Sequence, residues 1–134
     1  MTQEKTLLIV EDDESQRVLY ERAFTKEGYK VVLAVDGTEA IEKARTEKPD
    51  LIVMDIRMPR RDGIDAMQKI LGENKRVPVV INTAYPTHQQ NFMTWAADAY
   101  VIKSADLTKL KETVKEVLAS RREAAPAGGE AAQK

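Results

Sequence analysis

The chain has no cysteine, which removes disulfides, thiolate chemistry and cysteine-based zinc sites together. Histidine is almost as scarce, with His88 alone. Without a second histidine or a cysteine beside it, His88 reads as a surface residue and not as a metal ligand. Charge of one sign is also lacking: 32% of the residues are charged, yet the formal net charge is -1. No global field therefore draws the chain to nucleic acid or an anionic membrane. Long apolar runs are missing as well. The opening MTQEK and the short run behind it lack the apolar core of a signal peptide, and nothing approaches the roughly 20 residues of a membrane span. These absences lead to the expectation of a soluble, cytoplasmic protein with no direct nucleic-acid or membrane partner. At 134 residues the chain is expected to form one domain, with no room for a second, output-type domain.

Five apolar runs stand out: Thr6 to Val10, Val31 to Val35, Leu51 to Met54, Val77 to Ile81 with Pro78 at its mouth, and Ala99 to Ile102. Apolar at successive positions and rich in β-branched residues, they suit strands buried on both faces of a parallel sheet. Between them the period changes to that of helices. In Glu14 to Lys26 the residues Val18, Leu19, Ala23 and Phe24 are expected to face inward, with Gly28 placed for a left-handed cap. Thr38 to Lys48 (Ala40, Ile41 and Ala44 inward) ends before Pro49, which cannot continue a helix. Ile64 to Leu71 is followed by Gly72. Asp106 to Ser120 sets Leu107, Leu110, Val114, Val117 and Leu118 on one stripe, with Asp106 as N-cap. Strict alternation predicts right-handed βαβ units: a doubly wound, flavodoxin-like α/β fold whose five-stranded parallel sheet has the order 2-1-3-4-5 and helices on both faces. The domain is expected over residues 1–120. Residues 121–134, rich in Ala, Gly and Glu, are expected to form a flexible tail.

Such a sheet binds its ligand at the carboxyl ends of its strands. The first strand ends in VEDDE (Val10 to Glu14), and four consecutive acids repel one another unless a cation compensates them. Asp55 follows the third strand, Thr83 ends the fourth and Lys103 follows the fifth. The fold thus gathers Glu11, Asp12 and Asp55 with a hydroxyl and an ammonium. Hard oxygen donors of this kind suit Mg2+. Thr83 and Lys103 suit a phosphoryl group, and Asp55 is the natural carboxylate nucleophile.

VEDDE, MDIRMPRRDG, INTA and ADAYVIK, in this order and spacing, resemble the receiver domains of two-component response regulators along nearly all of residues 5–120. Each motif is weak alone, and the ordered set is specific. The resemblance implies that Asp55 is the phosphoacceptor and that Glu11 and Asp12, in preference to Asp12 and Asp13, form the acidic pair. It implies Mg2+ as cofactor, held by Glu11, Asp12, Asp55 and the backbone carbonyl of Arg57. Lys103 is implied to contact the phosphoryl group, with Thr83 and Tyr100 as the switch residues. The implied donor is a sensor histidine kinase or a histidine phosphotransfer protein. Output is expected through a downstream protein on the face built by residues 85–97, the fifth strand and the last helix, with homodimerisation possible. A receiver of this kind is a self-phosphorylating acceptor and not an enzyme acting on a separate substrate.

Two departures from the family pattern stand out. Ser104 replaces the usual proline after Lys103. A cis bond to a non-proline residue costs roughly 2.5 to 4 kcal/mol, so a trans peptide is expected. The stretch between Thr83 and Lys103 is also about two residues short, which predicts a shortened or displaced helix over 85–97, where Phe92, Met93 and Trp95 read as packing residues. Arg57 and Tyr85 flank the acceptor and are expected to slow loss of the phosphoryl group. Three other functions fit less well. A phosphatase of the haloacid dehalogenase type needs a second aspartate where Arg57 stands. A nucleotide or flavin site needs a glycine-rich first loop, and this one is acidic. A pseudo-receiver that signals by binding alone would not need every site position filled by a competent residue, as it is here.

Overall fold

The five apolar runs become five parallel strands: β1 (Thr6–Val10), β2 (Lys30–Ala34), β3 (Leu51–Met54), β4 (Val79–Thr83) and β5 (Ala99–Ile102). They form one sheet in the order β2-β1-β3-β4-β5, as the alternation predicts. The computed structural model describes the backbone of residues 4–55, 62–74, 76–84 and 97–131, and their side chains except at 62–65 and 121–131. Within these, the helices are α1 (Glu14–Lys26), α2 (Gly37–Glu47), α3 (Asp62–Glu73) and α4 (Thr108–Ala131). None of them is long and apolar enough to cross a membrane.

Both faces of the sheet are covered, which is why the strands read as near-continuous apolar runs and not as alternating ones. Leu8, Val10, Ile52, Met54, Val79 and Ile81 pack with Ala40 of α2 and Ala66, Met67 and Ile70 of α3. Leu7, Ile9, Leu51, Val53 and Val80 face the other way, onto Tyr20 and Phe24 of α1 and Leu110 and Val114 of α4.

Helix α1 departs from the expected face. Val18 and Leu19 are 40% and 47% exposed, whereas Tyr20 and Phe24 are buried. At 3.6 residues per turn, Val18 lies roughly 160° around the helix from Tyr20 and Leu19 about 100°, so one stripe cannot bury all of them. The two large rings go inward because they bury the greater apolar area, and the Tyr20 hydroxyl finds polar partners there.

The start of β4 also shifts. Pro78 has no N–H for the ladder, so the strand begins at Val79, and Pro78 contributes only its carbonyl, to the Ile52 N–H at 3.0 Å. β2 lies one residue earlier than expected. α2 spans Gly37–Glu47, and Lys48 takes a left-handed conformation (φ 47°) ahead of Pro49, at a cost of about 1–2 kcal/mol for a residue with a Cβ. α3 runs past Gly72. The Leu107 carbonyl accepts the first bond of α4, so Asp106 stands one residue before the cap position. Its carboxylate still accepts from the Thr108 N–H and hydroxyl, and those bonds lower its pKa. The backbone of α4 continues to Ala131 through the segment expected to be a tail. The expected fourth helix, with Tyr85, His88, Phe92, Met93 and Trp95, lies outside the described residues.

The end of α1 shows the local code at work. Gly28 has φ 99°, its N–H bonds the Thr25 carbonyl, and the Tyr29 N–H reaches back to the Phe24 carbonyl at 3.2 Å. These are the two bonds of a Schellman motif. The apolar contact that accompanies it is the Phe24–Tyr29 ring pair, with centroids 5.9 Å apart. A Cβ at Gly28 would meet nothing within 4 Å, so Gly28→Ala tests conformation alone. It is expected to lower stability by about 1 kcal/mol, read as a lower urea midpoint at unchanged slope.

Candidate metal and acceptor site

Glu11, Asp55 and Lys103 are each the first residue beyond a strand and are held by a ladder bond, Thr83 is the last residue of β4, and Asp12 follows Glu11. The Glu11 N–H donates to the Ala34 carbonyl at 3.1 Å, extending β1 along β2, and the Asp55 N–H donates to the Val10 carbonyl at 3.2 Å, extending β3 along β1. The Lys103 N–H bonds the carbonyl of Thr83, the last residue of β4, at 2.7 Å. Glu11 thus emerges from the end of β1 and Asp55 from the end of neighbouring β3, where the strand order reverses and a doubly wound sheet opens its crevice.

The carboxylates of Glu11, Asp12 and Asp55 offer oxygens that all lie within 4.8 Å of one another. Glu11 and Asp55 are each 1% exposed, as is Thr83, while Asp12 faces solvent. The Lys103 ammonium sits between the two buried acids, 2.9 Å from Glu11 Oε1 and 3.0 Å from Asp55 Oδ2. Lys103 thus pairs with two buried carboxylates at once, with the exposed Asp12 carboxylate beside them. Burial pushes the Glu11 carboxyl up, and Asp55 adds to the rise against the opposing pull of Lys103. Burial alone would lower the Lys103 ammonium, but its bonds to Glu11 and Asp55 outweigh burial and raise it. Among the described residues, the site keeps this cation tightly and gathers three carboxylates around it. Such hard oxygen donors fit Mg2+.

The acids of VEDDE divide their work. Glu11 and Asp12 belong to the cluster. Asp13 is the N-cap of α1, its side chain accepting from the Gln16 N–H at 3.1 Å. Glu14 opens the first turn, where the helix dipole favours an anion. One contributor went unread in the sequence: the Arg17 guanidinium donates to the backbone carbonyls of Glu11 (3.0 Å) and Asp12 (3.2 Å). Its spacing of five and six residues from the acids was the available signal. The second unread feature is Asn82, a buried amide within the run VVINT, which donates to the Tyr20 hydroxyl at 3.0 Å.

Tyr100 is half-buried and packs against the cluster on the α2–α3 side of the sheet, in register with Ile81 of β4. No peptide among the described residues is cis, so the Lys103–Ser104 bond is trans, as expected. Arg57 and Tyr85 lie outside the described residues.

Comparison with known proteins agrees with this geometry. A family profile of the response regulator receiver domain matches residues 7–115. The alkaline phosphatase synthesis transcriptional regulatory protein PhoP of Bacillus subtilis is 35% identical over 124 residues, covering 91% of this chain and 52% of that protein. The chain therefore spans about half the length of that relative. The Thermotoga maritima response regulator TrrA in complex with Mg2+-BeF superposes with a TM-score of 0.79 at 35% identity, covering 84% of this chain and 97% of that one. TrrA bound to the histidine kinase ThkA gives 0.78 at 35% identity, over 85% and 98% of the two chains.

The raised Glu11 pKa sets a test. The folded protein binds this proton more tightly than the unfolded chain. Without divalent cations its contribution to stability is therefore full below the unfolded value near 4.3 and declines as pH rises through the raised folded value. Glu11→Gln removes the buried charge. In urea melts with chelator between pH 4 and 7, the variant is expected to gain on the wild type as pH rises, while losing affinity for Mg2+. A wild-type advantage that grows with pH would contradict the burial argument.

Proposed function

The chain belongs to the response regulator receiver domain family, and on that footing we propose that Asp55 accepts a phosphoryl group from a phosphohistidine of a sensor histidine kinase or histidine phosphotransfer protein, in a Mg2+-dependent reaction. The observation that carries this reading is the Lys103 ammonium held 3.0 Å from Asp55 Oδ2, in a cluster of three acids of which Glu11 and Asp55 are buried and Asp12 is exposed.

Asp55 supplies an oxygen that attacks phosphorus. A P–O bond forms as the P–N bond to the donor imidazole breaks, and the electron pair leaves with the ring nitrogen, which takes up a proton from solvent. Lys103 is placed to pair with a phosphoryl oxygen once the carboxylate is esterified, and its backbone tie to Thr83 keeps it there. Glu11, Asp12 and Asp55, with the Arg57 carbonyl implied by the family pattern, would hold Mg2+, which supplies charge neutralisation for an anion entering an acidic pocket. Water attack on the acyl phosphate returns free Asp55, so the domain turns over its own modification and no separate substrate. The half-life is expected to be long, with Arg57 and Tyr85 screening the acceptor.

Signalling follows from a two-state equilibrium. Thr83, at the end of β4, is drawn toward the phosphoryl group, and Tyr100 on neighbouring β5 follows. This reshapes the face formed by residues 85–97, β5 and α4 for a downstream protein partner or a second copy of the chain. The kinase donor is supported by the likeness to TrrA, which was solved with ThkA. A cytoplasmic setting fits such a donor.

Acetyl phosphate with Mg2+ is expected to add one phosphoryl mass to the intact protein, and none to Asp55→Asn or in the presence of chelator. Failure of the wild type to form an adduct would overturn acceptor function in favour of a receiver fold that signals by binding alone.

A further inference from the structure

Behind the acceptor site runs a circuit of polar contacts whose links through Asp13, Gln16, Tyr20 and Asn82 phosphoryl transfer does not use. Glu11 Oε2 accepts from the Asp13 N–H at 3.2 Å, and Asp13 Oδ1 accepts from the Gln16 N–H at 3.1 Å. Gln16 Oε1 accepts from the Tyr20 hydroxyl at 2.9 Å, and that hydroxyl accepts from the Asn82 side-chain N–H at 3.0 Å. Asn82 is bonded to Thr83, whose carbonyl holds the Lys103 N–H, and the Lys103 ammonium returns to Glu11 Oε1. The circuit closes on the two oxygens of one carboxylate, and its far side crosses from α1 to β4 through the interior.

Tyr20 and Asn82 are each 2% exposed. Packing alone does not call for them, because replacing both partners of a buried hydrogen bond by apolar groups of similar shape is close to neutral for stability. A hydrogen-bonded pair adds direction: it fixes the rotation of α1, and with it the Asp13 cap and the Glu11–Asp12 loop, relative to the end of β4. The Tyr20 phenol is raised by burial and also feels Lys103, Glu11 and Asp55 through space, consistent with its place beside the site. An outer ring of this sort orients metal ligands in other proteins, where its loss weakens the metal.

We propose that Tyr20 and Asn82 are positioning residues for the acidic site, holding the Glu11–Asp12 loop in register with the end of β4 and thereby setting its affinity for Mg2+. The proposal rests on the Mg2+ reading given above. By thermodynamic reciprocity, a cation bound at the loop then also biases the β4 end that carries Thr83.

The test compares Mg2+ titration calorimetry and urea melts for the wild type, Tyr20→Phe, the double variant Tyr20→Phe with Asn82→Val, and Gln16→Ala. Tyr20→Phe alone strands the Asn82 amide and lowers stability. The double variant removes both polar groups and is expected to regain wild-type stability. If the pair only satisfies its own hydrogen bonds, Mg2+ affinity recovers with stability. If it positions the loop, the double variant stays about tenfold or more weaker for Mg2+ at recovered stability, as expected for loss of an outer partner. Gln16→Ala breaks the chain at a less buried link and is expected to weaken Mg2+ in the same sense, which guards against misfolding of the core variants. A loss of less than about tenfold in the double variant or in Gln16→Ala would overturn the proposal while leaving the Mg2+ site standing. No Mg2+ binding by the wild type would overturn the metal reading and the positioning role together.

Discussion

A single ammonium between two buried carboxylates is the constraint from which the rest of the site follows. Lys103 bonds Glu11 and Asp55 at once, and neither acid has solvent to fall back on. Removing the ammonium would leave both buried acids without this partner, at a cost of roughly 3–5 kcal/mol. The opposite origins of the two pKa rises describe the imbalance. The cation rises because its partners outweigh burial, and Glu11 rises because burial outweighs its partner. Acidic groups are therefore held together at a cost to the fold, and as a cluster of hard oxygen donors they fit a divalent cation.

The sheet makes that arrangement precise. Glu11, Asp55 and Lys103 come from parts of the chain 44 and 48 residues apart, as an interval of 92 residues separates the ends. Each is nevertheless held by a backbone bond that continues a parallel ladder. Ladder bonds fix the backbone, and a buried register cannot slip by one residue without turning the apolar side chains of both faces the wrong way. Packing of Leu7, Leu8, Ile9 and Val10 on the two helical layers thus also positions the chemistry. Charged groups that would destabilise a core are placed one residue beyond it.

Helix α1 connects the two themes. Its buried face carries Tyr20 and Phe24 and leaves Val18 and Leu19 outside, a choice that links the helix to β4 through a phenol and an amide. At its start, Asp13 caps the helix and Arg17 grips the carbonyls of the acidic loop. The cluster is thus braced by a guanidinium that touches backbone and leaves the carboxylate oxygens available.

Strand order, the helices on both faces and the gathering of Glu11, Asp12, Asp55, Thr83 and Lys103 were legible in the sequence, because continuous apolar runs, helical periods and strand-end positions are local signals that the parallel topology converts into one edge. Gly28 was legible for the same reason, since a Schellman turn is written in consecutive residues. The inward face of α1 was not. Its hydrophobic list omitted Tyr20, whose polar tip is tolerated inside only because Asn82, 62 residues away, meets it there. The start of β4 moved because Pro78 cannot donate, and Asp106 capped from one residue outside because the Leu107 carbonyl took the first bond of α4. Sequence determined which residues this protein has for its chemistry and which edge they reach. Tertiary structure alone decided which acid is buried against Lys103, which acid caps a helix and which polar groups close the ring behind them, because those outcomes depend on contacts between side chains that sequence distance does not encode.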